Sequence, residues 1–278
     1  MEEERRWEDL TQDCLVRVFC NLGLDDLTLA VPFVCRSWRE ASLDPQCWKH
    51  LDFRELDFGS GSGLARRLKQ ELRVESFSFS ALMKLCLARS RGSAVELAIP
   101  FILGASLQRD IVCVSAQCPR LKVLALPSLL RKDEEQLPEL ISKLKELEVL
   151  EITWKPRCFL EILEQVRLNC PNFIGLHLCG FFDNREAQAI VRCLPKLKIL
   201  VLSASYLRKE DVVAILDGCT ELEVVDVSSC RGFDADREIL KKASGIKKFE
   251  CGGCSLMQGR TDFFYDHDDV FMALSIMN

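Results

Sequence analysis

Two places in this 278-residue chain carry side chains whose type and spacing suggest chemistry. Cys251-Gly-Gly-Cys254 has the spacing of a redox pair or of half a zinc site. A four-ligand zinc site wants a second pair, and His50, His177 and His267 are the sequence's three imidazoles. His177 and Glu151 would form an acid–base pair if the fold set them side by side. No GxSxG, phosphate-binding loop, GxGxxG or HExxH occurs, so the sequence presents no catalytic residue set, no metal set and no cofactor site. The 15 cysteines are an odd number without paired spacing, which argues against a disulfide framework and for reduced thiols.

The elements that must position these residues repeat. Leu121-Lys-Val-Leu124-Ala-Leu126, Leu147-Glu-Val-Leu150-Glu-Ile152, Phe173-Ile-Gly-Leu176-His-Leu178, Leu197-Lys-Ile-Leu200-Val-Leu202, Leu222-Glu-Val-Val225-Asp-Val227 and Ile246-Lys-Lys-Phe249-Glu-Cys251 begin 26, 26, 24, 25 and 24 residues apart. Seven residues before each unit stand Val114, Leu140, Val166, Ile190, Ile215 and Ile239. Three residues before stand Cys118, Leu144, Cys170, Leu194, Cys219 and Ala243. Two apolar columns four residues apart are one face of a helix. Helix, turn and LxxLxL strand at this period resemble the cysteine-containing leucine-rich repeat. Val95-Glu-Leu97-Ala-Ile99 extends the array upstream, and Leu51-Asp-Phe53 can supply a first strand of an irregular first repeat containing a Gly/Ser loop at 59–63.

The register assigns the chemistry-bearing residues. Cys251 falls on an inward strand position and Cys254 on a slot also filled by Cys230, so both read as core packing. His177 and Glu151 fall on outward positions, where they read as binding-surface residues. The outward columns yield a candidate substrate-binding surface of Val123, Val149, Glu151, His177, Ile199, Val201, Val224, Asp226 and Glu250. That stripe is partly apolar and partly acidic, and it fits a partner segment that is apolar with basic flanks. Stacked parallel strands would give a concave wall about 30 Å long.

The first fifty residues form a separate pattern. Leu15, Val18, Phe19 and Leu22 make a helical stripe with Thr11 at the N-cap position; a short helix begins near Asp25, and another runs from Phe33 to Ser42 behind Pro32. So short a unit needs a partner or the adjoining repeats to bury its apolar face. Leu10, Leu15, Val18-Phe19, Leu22, Asp26-Leu27, Val34-Cys35-Arg36-x-Trp38-Arg39 and Asp44-Pro45-x-x-Trp48 resemble the F-box. The whole chain is similar to the shorter plant members of the F-box/leucine-rich-repeat family. That resemblance implies an α/β fold, with a three-helix F-box at residues 1–50 followed by a leucine-rich-repeat solenoid at 51–254, its curved parallel sheet inside and its helices outside. It also implies a non-catalytic substrate receptor of an SCF-type ubiquitin ligase. Leu10, Leu15, Val18, Phe19, Leu22, Leu27 and Val34 would hold a Skp adaptor and, through it, the cullin and RING subunits. Trp38, Leu43 and Trp48 would knit the motif to the first repeat. The family usually has Pro after the first Leu, where this chain has Thr11. A repeat scaffold that binds a partner without delivering it to ubiquitin transfer is the other reading the residues leave open.

Composition narrows the partners. A net charge of −5 and no basic stripe argue against nucleic acid. No apolar run reaches bilayer length, and the expected address is cytoplasmic and/or nuclear. Residues 255–278, with Asp262, Asp266, Asp268 and Asp269 among Phe263, Phe264, Tyr265 and Phe271, are expected to cap the last repeat or to remain an acidic tail.

Overall fold

A computed structural model describes residues 10–58, 62–72, 78–101 and 107–256. The N-terminal module is α1 (Gln12–Phe19), α2 (Leu24–Leu29) and α3 (Arg36–Ser42), with 3-10 turns at Val31–Phe33 and Pro45–Trp48. The expected helix from Phe33 to Ser42 is therefore split: Pro32 sits in a tight turn, and extended Cys35 resets the chain before α3. Thr11 occupies the N-cap of α1, yet its hydroxyl makes no capping bond.

Among the described residues eight strands follow in chain order, each parallel to the next: β1 (His50–Asp52), β2 (Glu96–Ala98), β3 (Val123–Leu126), β4 (Val149–Trp154), β5 (Gly175–Cys179), β6 (Ile199–Val201), β7 (Val224–Asp226) and β8 (Lys248–Glu250). Parallel neighbours require crossover connections, and helices supply them. Between β1 and β2 lie α4 (Gly63–Leu72) and α5 (Phe79–Ser90), so the first repeat is more helical than expected. The Ser62 hydroxyl accepts the Ala65 N–H at 3.0 Å at the start of α4, so residues 62 and 63 of the expected Gly/Ser loop open a helix; residues 59–61 lie outside the described residues. The later crossovers are α6 (Gln108–Gln117), α7 (Arg131–Glu134) with α8 (Leu137–Lys143), α9 (Phe159–Asn169), α10 (Asn184–Cys193), α11 (Lys209–Gly218) and α12 (Arg237–Lys242).

Both helix columns read from the sequence are buried, Val114, Ile190 and Ile239 at 1%, 0% and 0% exposure, together with the inward strand positions Leu124, Leu150, Leu176 and Leu200. Each repeat thus covers its predecessor, the stacking that defines a solenoid. One polar rung recurs beside this core. Cys230 Sγ donates to the Leu202 carbonyl at 3.0 Å, and Cys254 Sγ to the Val227 carbonyl at 2.9 Å. At the same position one repeat earlier, Ser205 Oγ accepts from the Gly180 N–H at 3.0 Å. One residue before each of these side chains the chain turns left-handed, at Ala204 (φ 56°), Ser229 (φ 57°) and Gly253 (φ 78°).

The two modules share one core. Trp48 is fully buried, donates its indole N–H to the Ser42 carbonyl at 2.8 Å, and lies under the Arg89 guanidinium of α5, 4.8 Å from the ring centroid. Ser93 Oγ donates to the Pro45 carbonyl, and Arg67 of α4 to the Leu29 carbonyl.

Candidate functional site

The N-terminal stripe divides into a core and a face. Leu15, Phe19 and Leu27 are each 1% exposed, so these three expected adaptor contacts point inward, where Phe19 meets Trp38 edge-on at 5.2 Å. Leu22 and Trp38 are half-buried against the same core. The exposed apolar residues are Leu10, Val18 (42%), Phe33 (52%), Val34 (58%) and Leu43 (38%). Leu43, expected at the junction with the first repeat, is thus at the surface, while Trp48 occupies that junction. Phe33 escaped the sequence reading, although three apolar residues in four at Val31-Pro32-Phe33-Val34 exceed what one buried face needs. Phe33 and Val34 are adjacent in the chain and each more than half exposed.

The concave wall has the expected columns. Glu96, Val123, Val149, Gly175, Ile199, Val224 and Lys248 stand in register on adjacent strands, as do Ala98, Ala125, Glu151, His177, Val201, Asp226 and Glu250. Val123, Val149, Ile199, Val201, Val224 and Asp226 are half-buried, each covered in part by its neighbours, and Glu250 is exposed. A Cβ at Gly175 would lie 3.0 Å from Val149 Cγ2, so the valine already fills the space beside this glycine.

Glu151 and His177 are brought together, with His177 Nδ1 3.3 Å from Glu151 Oε1. Arg54, just beyond β1, joins them from the other side: its Nη1 donates to Glu151 Oε2 at 3.2 Å, while Nη2 and Nε donate to the Asp52 carboxylate at 2.6 and 3.0 Å. The intervening wall residues, Ala98 and Ala125, are small enough to leave room for this reach. The hydrogen bond from His177 and the Arg54 charge outweigh burial and hold the Glu151 carboxyl below its usual range; the Arg54 hydrogen bonds do the same for Asp52. His177 Nε2 is closed off from solvent and without a hydrogen-bond partner, so the ring is fixed on its Glu151 side. Around this row opens a cavity of about 990 Å³. Leu56, Phe58, Pro100, Phe101, Ala125, Glu151, His177 and Val201 are among the residues that line it. Arg54 has no counterpart in the repeat pattern, because the first repeat departs from the period.

Apolar walls over an ionised, hydrogen-bonded row can hold a protein segment; no nucleophile–base arrangement is assembled here. Four buried thiols of the repeat add none. Burial pushes Cys118 and Cys230 up to about 12 and Cys170 and Cys219 up to about 11, so all four remain protonated packing groups near neutral pH. Among the described residues, no three His, Cys, Asp or Glu side chains converge as a metal site would require. No helix among them is long and apolar enough to cross a membrane.

Helices, wall and face define a class: a leucine-rich-repeat solenoid built onto a small helical module. Comparison with known proteins makes this specific. The F-box domain model matches residues 7–50. An F-box/LRR-repeat protein of Arabidopsis thaliana is 32% identical, covering 90% of this chain and 86% of the relative. The F-box protein FBW2 of the same plant is 25% identical over 87% of this chain and 74% of its own length, and the F-box protein SKIP19 is 25% identical over 82% and 70%. The chain belongs to the F-box/LRR-repeat protein family.

Proposed function

We propose that this chain is the substrate-recognition subunit of an SCF-type ubiquitin ligase. Val18, Phe33 and Val34, with Leu10 and Leu43 at the margin, form the Skp-adaptor face, and the concave wall holds the target protein. The observation that carries the reading is the apolar face itself: an F-box that buries Leu15, Phe19 and Leu27 in its own core still leaves Phe33 and Val34 more than half exposed. The chain would contribute no group to the chemistry. Ubiquitin transfer would be promoted by holding the target's lysines at high effective concentration near the thioester. At the wall, the ionised Glu151 and the lining aromatics Phe58 and Phe101 favour a target segment with an apolar anchor and basic flanks.

Co-purification with a Skp adaptor tests the reading. Binding that is retained by the intact chain and lost on Phe33→Ser/Val34→Ser supports it. A folded chain that captures no adaptor refutes it and leaves a repeat scaffold without a ligase role. Leu15 is unsuitable as a probe, because an Asp there would bury an unpaired charge and unfold the module.

A further inference from the structure

The far end of the solenoid is uncovered. In the repeats before it, the inward strand positions are sealed by the next repeat; Leu200, Val225, Leu202 and Val227 are 0–3% exposed. In the last repeat the same positions, Ile246, Phe249 and Cys251, are only half-buried, and so is Cys254. Leu240 is 48% exposed, whereas its equivalents Val191 and Leu216 are packed against the core. Among the described residues, β8 pairs on its β7 side alone.

We propose that residues 257–278 of this same chain cover that end. Four observations select this occupant. The last described residue, Leu256, lies at this end, held by its N–H to Asp234 Oδ1 at 3.0 Å and 58% exposed. The segment beyond it is nearly as long as one repeat, the unit that seals every earlier surface. Between Arg237 and Leu256 there are five Lys or Arg against two Glu, of which Lys242, Lys247 and Lys248 already meet Asp217, Glu223 and Glu250; residues 257–278 carry four Asp against one Arg. Phe263, Phe264, Tyr265 and Phe271 bring the apolar area such a cover needs.

The test is alkylation of Cys251 and Cys254 by iodoacetamide, mapped by mass spectrometry, together with hydrogen exchange at the Phe249 and Cys251 amides. It compares the full chain, a chain ending at Leu256, and full-length Phe263→Ser/Phe264→Ser/Phe271→Ser. The proposal expects both thiols to react about tenfold faster or more in the altered chains, with β8 amide protection falling in parallel. If the shortened chain fails to fold, the triple variant, checked by circular dichroism, decides. Equal rates in full-length and triple-variant chains overturn the proposal. So does protection that rises with protein concentration alongside a doubled mass, which would make a second copy the cover.

Discussion

On the adaptor face proposed above, replacing Phe33 with Ala separates adaptor binding from folding. Phe33 exposes 52% of its surface, and an aromatic side chain presents on the order of 200 Å², so about 100 Å² is available to a partner. At about 25 cal/mol per Å², covering that area is worth roughly 2.5 kcal/mol, or about 70-fold in the dissociation constant. The half that packs within the module makes the substitution destabilising by about 1–2 kcal/mol. Leu15→Ala has the opposite profile: at 1% exposure it costs about 2–5 kcal/mol of stability and affects adaptor binding through folding alone. Isothermal titration with purified Skp adaptor, beside urea unfolding of each free variant, measures both quantities. An adaptor affinity for Phe33→Ala within twofold of the parent, with the variant folded, would refute the assignment of this face.

Four further outcomes follow from the geometry. Cys230→Ala removes a fully buried thiol and its bond to the Leu202 carbonyl, and is expected to cost about 1–2 kcal/mol in thermal unfolding, whereas the exposed Cys14→Ala shifts it little. Ala204→Gly relieves a left-handed alanine worth about 1–2 kcal/mol and loses about 0.5–1 kcal/mol to chain entropy, so a net gain of a few tenths to 1 kcal/mol is expected from urea denaturation. Trp48→Ala is expected to cost about 3–5 kcal/mol and to loosen α5 as well as the N-terminal helices, seen as lost hydrogen-exchange protection in both; loss confined to one side would show that the modules do not share a core. Asp52 and Glu151 have folded pKa values below their ordinary ones near 3.9 and 4.3, so their contribution to stability is complete above those values and is lost as pH falls below about 4. Asp52→Asn/Glu151→Gln should flatten that acid limb in a pH series of melting temperatures.

The repeat was legible because its signal is redundant: each of six units supplies three strand positions and two helix positions, and all carry the same burial requirement. Registers for Glu151, His177 and the outward columns followed directly. The first repeat was less legible, since α4 and α5 replace the period with helices whose apolar residues pack on the F-box, and Arg54 enters the wall from outside the pattern. In the F-box, the sequence marked apolar residues without distinguishing the buried from the presented. Leu15 and Val18 are alike in type and lie on one stripe, and only the packing of α3 and Trp48 separates them. Phe33 depended on where the 3-10 turn at Val31–Phe33 points, and local spacing does not encode that direction.

The shared burial of Trp48 has a mechanical consequence. With the ring beneath Arg89 and Ser93 bonded to Pro45, the N-terminal helices and the first strand of the wall pack as one unit. On the function proposed above, a target on the wall would be held at a set bearing and distance from an adaptor on the Phe33 face, as on an angle bracket. Selection among a bound protein's lysines would then fall to the bound protein's own shape and flexibility, because this chain offers one alignment rather than a search over many.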